Sequence, residues 1–158
     1  MKKIVRSKVA ELQMEDEDLR ICGVHCRGTD YLSLKPTNHP IQPSTEEVIE
    51  KTRKVMTEHS CDKVFLATED ALIAKKFASA FGNKLVMAYP PYEEYEDGEF
   101  FIRKDMSLYQ SGLEYLCTLE ILSSCTCIIG TACGGSMMAA LMANNPEYEY
   151  YFWLGLYE

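Results

Sequence analysis

The chain has 158 residues, 47% hydrophobic and 25% charged, the balance of a single globular domain large enough to bury a sizeable core. A formal net charge of −8 excludes nucleic acid as a general partner, because binding a phosphate backbone needs a basic surface. No apolar run is long enough to span a bilayer, and Met1-Lys2-Lys3 leads into mixed polar sequence rather than a signal-peptide core, so a cytoplasmic location is expected.

Residues 3–17 set Ile4, Val5, Val9, Leu12 and Met14 among charges, a helical pattern that ends in an acidic cluster. Residues 1–18 read as a boundary segment before a domain covering 19–158. Leu19 to Cys26 is short, apolar and β-branched and ends near Gly28, the pattern of a buried strand. Residues 31–43 hold three prolines and read as a loop. Ser44-Thr45-Glu46-Glu47 is a capping box, which starts a helix at Thr45 that runs to about Glu58 with Val48, Ile49, Thr52, Val55 and Met56 inward.

The alternation then repeats. Lys63–Thr68 reads as a strand, Ala71–Phe81 as a helix and Lys84–Ala88 as a strand, and residues 89–106 form a long loop. Leu108–Ser124 is a helix, Thr126–Gly130 a strand, Ser136–Ala143 a helix, and Tyr148–Leu156 closes as a strand. Strands separated by helices imply an α/β doubly wound, mostly parallel, Rossmann-like sheet with helices on both faces.

Seven cysteines are an odd number, and Cys22, Cys26, Cys125 and Cys127 lie in strand-like runs. Alternating Cys125 and Cys127 would share one strand face, which does not suit a Cys-x-x-Cys zinc knuckle. Reduced, core-packed thiols in an intracellular setting are expected, with no metal site.

In parallel sheets of this kind ligands sit beyond the carboxyl ends of the strands, so three turns matter. The first is His25 to Tyr31. Arg27 offers a planar fork of donors suited to phosphate, and Asp30 can hold that fork; the pair can equally be a structural brace. The second, Thr68-Glu69-Asp70, can cap the following helix or present a carboxylate to a ribose or base. The third, Gly130-Thr131-Ala132-Cys133-Gly134-Gly135-Ser136, runs from a strand into a helix. Its glycines allow a diphosphate to approach free N–H groups, or merely make a tight turn. All three fall on one edge of the sheet, which favours a nucleotide-diphosphate pocket.

Gly23-Val24-His25-Cys26-Arg27-Gly28-Thr29-Asp30-Tyr31 resembles the arginine motif of the α-1,6-fucosyltransferases, and related motifs occur in α-1,2 and protein O-fucosyltransferases. The resemblance continues through His39-Pro40-Ile41, Phe65 to Asp70, and Leu122-Ser123-Ser124 leading to Ile128-Ile129-Gly130-Thr131, covering roughly Leu19 to Met142. It implies the donor-binding, C-terminal half of a GT-B-type enzyme that transfers fucose from GDP-fucose to a glycan acceptor with inversion and without a metal. It further implies that Arg27 contacts the diphosphate, with His25 beside the nucleotide and Asp30 supporting the arginine. Glu69 and Asp70 would lie at the nucleoside, and the turn containing Thr131, Cys133, Gly134 and Gly135 at the phosphates. Arg27 and Asp30 are the candidate catalytic residues.

The chain departs from the family pattern at three places. The second arginine is Gly28, the acid after the motif falls near Lys35, and an aspartate that contacts the base falls at Thr118. The acceptor would belong to a separate N-terminal domain. A non-catalytic nucleotide-sugar-binding or interaction module derived from such an enzyme is the other reading.

Overall fold

Apolar residues line both faces of each inner strand because helices cover both faces. The structure, a computed structural model, describes residues 2–16, 18–28, 34–90, 107–143 and 149–158. Its strands are β1 (Ile21–His25), β2 (Lys63–Ala67), β3 (Leu85–Val86), β4 (Cys127–Thr131) and β5 (Glu149–Phe152). They form one sheet in the order β3-β2-β1-β4-β5, with every pairing parallel; Val24 lies opposite Leu66 on one side and Ile129 on the other. The doubly wound α/β fold expected from the alternation is therefore present.

The helices are α1 (Lys2–Glu11), α2 (Thr45–Glu58), α3 (Ala71–Phe81), α4 (Leu108–Ser123) and α5 (Gly134–Met142). Side chains alternate along each strand. Val24, Val64, Leu66 and Ile129 pack with Val48, Val55, Ile73 and Phe77 of α2 and α3. Phe65, Ala67 and Ile128 face the other way, onto Leu119, Ile121 and Leu122 of α4 and Ala139 of α5, where Val5, Val9 and Leu12 from the α1 region also pack. Each fully buried side chain of this size contributes about 1.5–3 kcal/mol. The crossover direction reverses between β1 and β4, and this is the topological switch point.

Local chemistry sets several boundaries. Ser44 Oγ accepts from the Glu47 N–H at 3.2 Å while Glu47 Oε2 accepts from the Ser44 N–H at 2.8 Å, so α2 begins with the expected capping box and buries the expected face. Asp70 Oδ1 accepts from the N–H groups of Leu72 and Ile73 and starts α3. Gly82, with φ +54°, ends it.

Four expectations need correction. The strand expected over Lys84–Ala88 is only Leu85–Val86, because Gly82–Lys84 forms a 3₁₀ turn and residues 87 and 88 leave the ladder. Helix α5 begins at Gly134, two residues before the expected start, since extended Cys133 is its N-cap. Cys125 and Cys127 do not share a strand face. Cys125 precedes β4, in the turn closing α4, where its N–H bonds to Leu122 O and its thiol to Ile121 O; it packs on the α4 face while Cys127 packs on the α2 face. The final strand stops at Phe152; beyond it the tail runs antiparallel to residues 38–41, through Asn38 N–H to Tyr157 O, Ile41 N–H to Gly155 O and a Pro40–Leu156 bridge.

All seven cysteines are free thiols, six of them buried. Among the described residues no helix is long and apolar enough to cross a membrane.

Candidate functional site

Burying a polar side chain is costly unless it is hydrogen-bonded, so clusters of such groups need a reason. Five described polar side chains are buried, and four of them, His25, Gln42, Thr131 and Ser136, gather at the carboxyl ends of β1 and β4. The fifth, Thr52, bonds back to Val48 O within α2.

His25 ends β1 and is 6% exposed. Its Nδ1 lies 2.8 Å from Ser136 Oγ and 3.6 Å from Cys133 Sγ, and the two α5 side chains are 3.4 Å apart. Two glycines permit this closeness. A methyl on Gly130 would sit 2.5 Å from Ser136 Oγ; one on Gly135 would sit 2.6 Å from His25 Cε1 and 2.8 Å from the Tyr115 hydroxyl. Burial opposes ionisation of the Cys133 thiol, yet the His25 ring and the Ser136 hydroxyl and N–H outweigh it and pull the thiol down to about 6. Neighbouring Cys26 is pushed up to about 12 by burial and by Glu69 and Asp70.

Arg27 follows β1 and is half-buried. Its Nε lies 3.6 Å from Glu69 Oε1, which also accepts the Gly28 N–H at 3.2 Å. Glu69 thus ties the turn after β1 to the turn after β2. Asp70 is engaged as the cap of α3, and it crowds Gly28: a Cβ there would stand 2.5 Å from Asp70 Cβ. No arginine fits at position 28 while Asp70 keeps this place. Asp30 lies outside the described residues.

An open cleft lies between the carboxyl ends of β1–β3 and helix α4. His25, Thr68, Glu69, Tyr89, Glu114, Tyr115 and Thr118 are among its walls. A smaller depression on the other side of His25 is lined by Arg27, Gln42, Gly130, Thr131 and Phe152. Thr131 is buried, and its hydroxyl donates to Gln42 Oε1 at 3.0 Å. Gln42 in turn donates to Pro40 O.

The structure therefore brings His25, Cys133 and Gly135 together at the switch point, with Gly134 on the exposed edge of the first turn of α5. Glu69 reaches both the large cleft and Arg27. Thr131 and Arg27 line the smaller depression rather than the cleft. Ser136, Gln42, Tyr115 and Glu114 were not singled out by sequence reasoning. Glu114 carried a usable signal: it stands one turn before Thr118, and both are polar positions in a helix that is otherwise largely apolar. Gln42, in a proline-rich loop, carried none. Among the described residues no three His, Cys, Asp or Glu side chains gather to hold a metal.

No protein-family model and no curated protein sequence matches the chain. Solved structures do. POFUT1 in complex with GDP matches with a TM-score of 0.59 over 95% of this chain and 47% of that one, at 12% identity. POFUT1 in complex with GDP-fucose matches with a TM-score of 0.57 over 95% and 46%, at 11% identity. NodZ α-1,6-fucosyltransferase soaked with GDP-fucose matches with a TM-score of 0.53 over 90% and 42%, at 16% identity. The chain spans a little under half the length of each. Its fold is fucosyltransferase-like, matching about half of each of these proteins.

Proposed function

We propose that this chain is the donor-binding half of a glycosyltransferase of GT-B type that uses GDP-fucose for inverting transfer of fucose to a glycan acceptor. The observation that carries the reading is the convergence of His25, the Glu69-anchored Arg27 turn and the N-terminus of α5 at the β1/β4 switch point, beside an open cleft. The likeness to structures of POFUT1 and NodZ solved with GDP or GDP-fucose supports it.

In this reading the nucleoside occupies the cleft. Glu114 presents a carboxylate able to accept two parallel N–H groups, the pattern on the N1 and N2 edge of guanine. The diphosphate lies toward the first-turn amides of α5, with His25 beside it. The acceptor oxygen attacks the anomeric carbon, the bond to the diphosphate breaks, and the departing GDP carries the developing charge. Arg27 stabilises that charge, and Glu69 fixes the direction of its guanidinium. Asp30 is the candidate base for the acceptor proton. The domain spans residues 19–158, and a further domain holds the acceptor in register with the donor. No divalent metal takes part.

The glycine at position 28 favours the second reading, a nucleotide-sugar-binding module without transfer, because the crowding by Asp70 leaves one motif arginine fewer at the phosphates. Incubating the chain with GDP-fucose in chelator-treated buffer separates the readings. Binding with slow release of free fucose supports the donor-site reading with chemistry, and binding without turnover supports the module. Binding that vanishes in chelator and returns with magnesium or manganese overturns the metal-free site.

A further inference from the structure

We propose that Cys133 is a modification site: a thiol activated by His25 that peroxides and small alkylating electrophiles attack ahead of the other cysteines, closing the anion site at α5. Three side chains from two elements make the arrangement. Cys133 caps α5 with Sγ 3.6 Å from His25 Nδ1 and 3.4 Å from Ser136 Oγ, and Ser136 holds the same ring nitrogen at 2.8 Å. A thiol beside an imidazole at a helix N-terminus has a base for its proton and a positive potential for the resulting thiolate.

An independent feature marks the cleft on the other side of the His25 ring as a ligand site. His25 is 6% exposed, lines the cleft, and its Nε2 has no hydrogen-bond partner among the described residues. Cys133 is itself 5% exposed and stands next to Gly134, which is exposed and has open space at its Cβ position. His25 at the end of β1 and Ser136 of α5 touch Cys133, and Cys26, just after β1, and Tyr151 of β5 feel its charge at longer range. His25 and Ser136 lower this thiol against its burial, whereas burial is the main cause that raises Cys26 and Cys125.

With a peroxide, Sγ attacks one oxygen and the O–O bond breaks. The thiol proton, accepted by His25 Nδ1, leaves with the departing oxygen as water or alcohol. Sulfur is oxidised to the sulfenic acid and the peroxide is reduced. With iodoacetamide an S–C bond forms, iodide leaves, and the proton passes to buffer. Either product adds atoms at the first turn of α5, where the proposed function places the diphosphate; the blocking effect rests on that reading, and the reactivity does not.

The test is timed iodoacetamide labelling of the full chain, followed by peptide mapping, with calorimetry of GDP on the same samples. Cys133 should be labelled first, at least tenfold faster than the next thiol. His25→Asn should slow it at least tenfold, and Ser136→Ala, a smaller change that keeps the ring, should slow it by a smaller factor. Saturating GDP should protect it at least tenfold. Another cysteine labelled first, or a Cys133 rate unmoved by both variants, overturns the assignment. If GDP binds and leaves the rate unchanged, the blocking claim falls. If GDP fails to bind while Cys133 is still labelled first, the nucleotide reading falls and the thiol assignment stands.

Discussion

Gly135→Ala tests the packing on which the site depends. The added methyl would lie 2.6 Å from His25 Cε1, 2.8 Å from the Tyr115 hydroxyl and 3.1 Å from His25 Nε2. Tyr115 is exposed, whereas His25 is buried and tied to Ser136. The ring must retreat by roughly 0.8 Å to reach ordinary contact, enough to stretch its 2.8 Å bond to Ser136. Overpacking of this kind costs about 1–3 kcal/mol and a weakened buried hydrogen bond about 0.5–1.5 kcal/mol. Replacing glycine in a helix recovers at most about 1 kcal/mol. The net expectation is a loss of about 1–3 kcal/mol in urea unfolding. GDP affinity should fall by about 10- to 100-fold, because the ring that faces the cleft is displaced. Gly134→Ala is the control: open space surrounds its Cβ position, so it should be neutral or stabilising by up to about 1 kcal/mol. A Gly135→Ala protein as stable as the parent and binding GDP equally well would refute the close approach of His25 to α5.

Arg27→Lys keeps the charge but loses the planar fork, so GDP affinity should fall by about 1.5–3 kcal/mol with little change in melting, since the residue is only half-buried; a destabilised fold with unaltered affinity would mark Arg27 as a brace. Ser44→Ala together with Glu47→Ala should lower stability by about 1 kcal/mol in thermal or urea unfolding and leave GDP affinity unchanged. The Cys133 thiol titrates near 6 in the folded chain and near its ordinary 9 when unfolded. Its contribution to stability should therefore grow as pH rises from 6 toward 9 and disappear as pH falls through 6; Cys133→Ser should remove that slope from the pH profile of unfolding midpoints, and identical profiles would contradict the arrangement.

Elements whose ends are set locally were legible in the sequence. The α2 capping box involves residues three apart, and α3 is bracketed by Asp70 and Gly82, so both helices begin and end where residue chemistry placed them. Ends set by tertiary contact were not. Two glycines argue against a helix start, yet α5 begins on them: at Gly135 the His25 ring and the Tyr115 hydroxyl leave no room for a side chain, whereas Gly134 faces open space. One contact of Arg27 shows the same limit. The parallel pairing of β1 with β2 brings Glu69, distant in sequence, to the arginine. The His25–Ser136 contact joins residues 111 apart in sequence, and no local pattern announces it. The edge of the sheet on which the site lies was readable from the order of strands and helices. Which side chains meet there was not.

The central claim, a nucleotide site selective for guanine diphosphates at the β1/β4 switch point, is tested most directly by calorimetry of GDP-fucose, GDP, UDP and ADP against the chain and its Glu114→Gln variant in chelator-treated buffer. The account predicts that GDP and GDP-fucose bind at least tenfold more tightly than UDP or ADP, and that Glu114→Gln erodes this preference while leaving UDP and ADP unchanged. Equal affinity for all four nucleotides, or no binding by any of them, would contradict it.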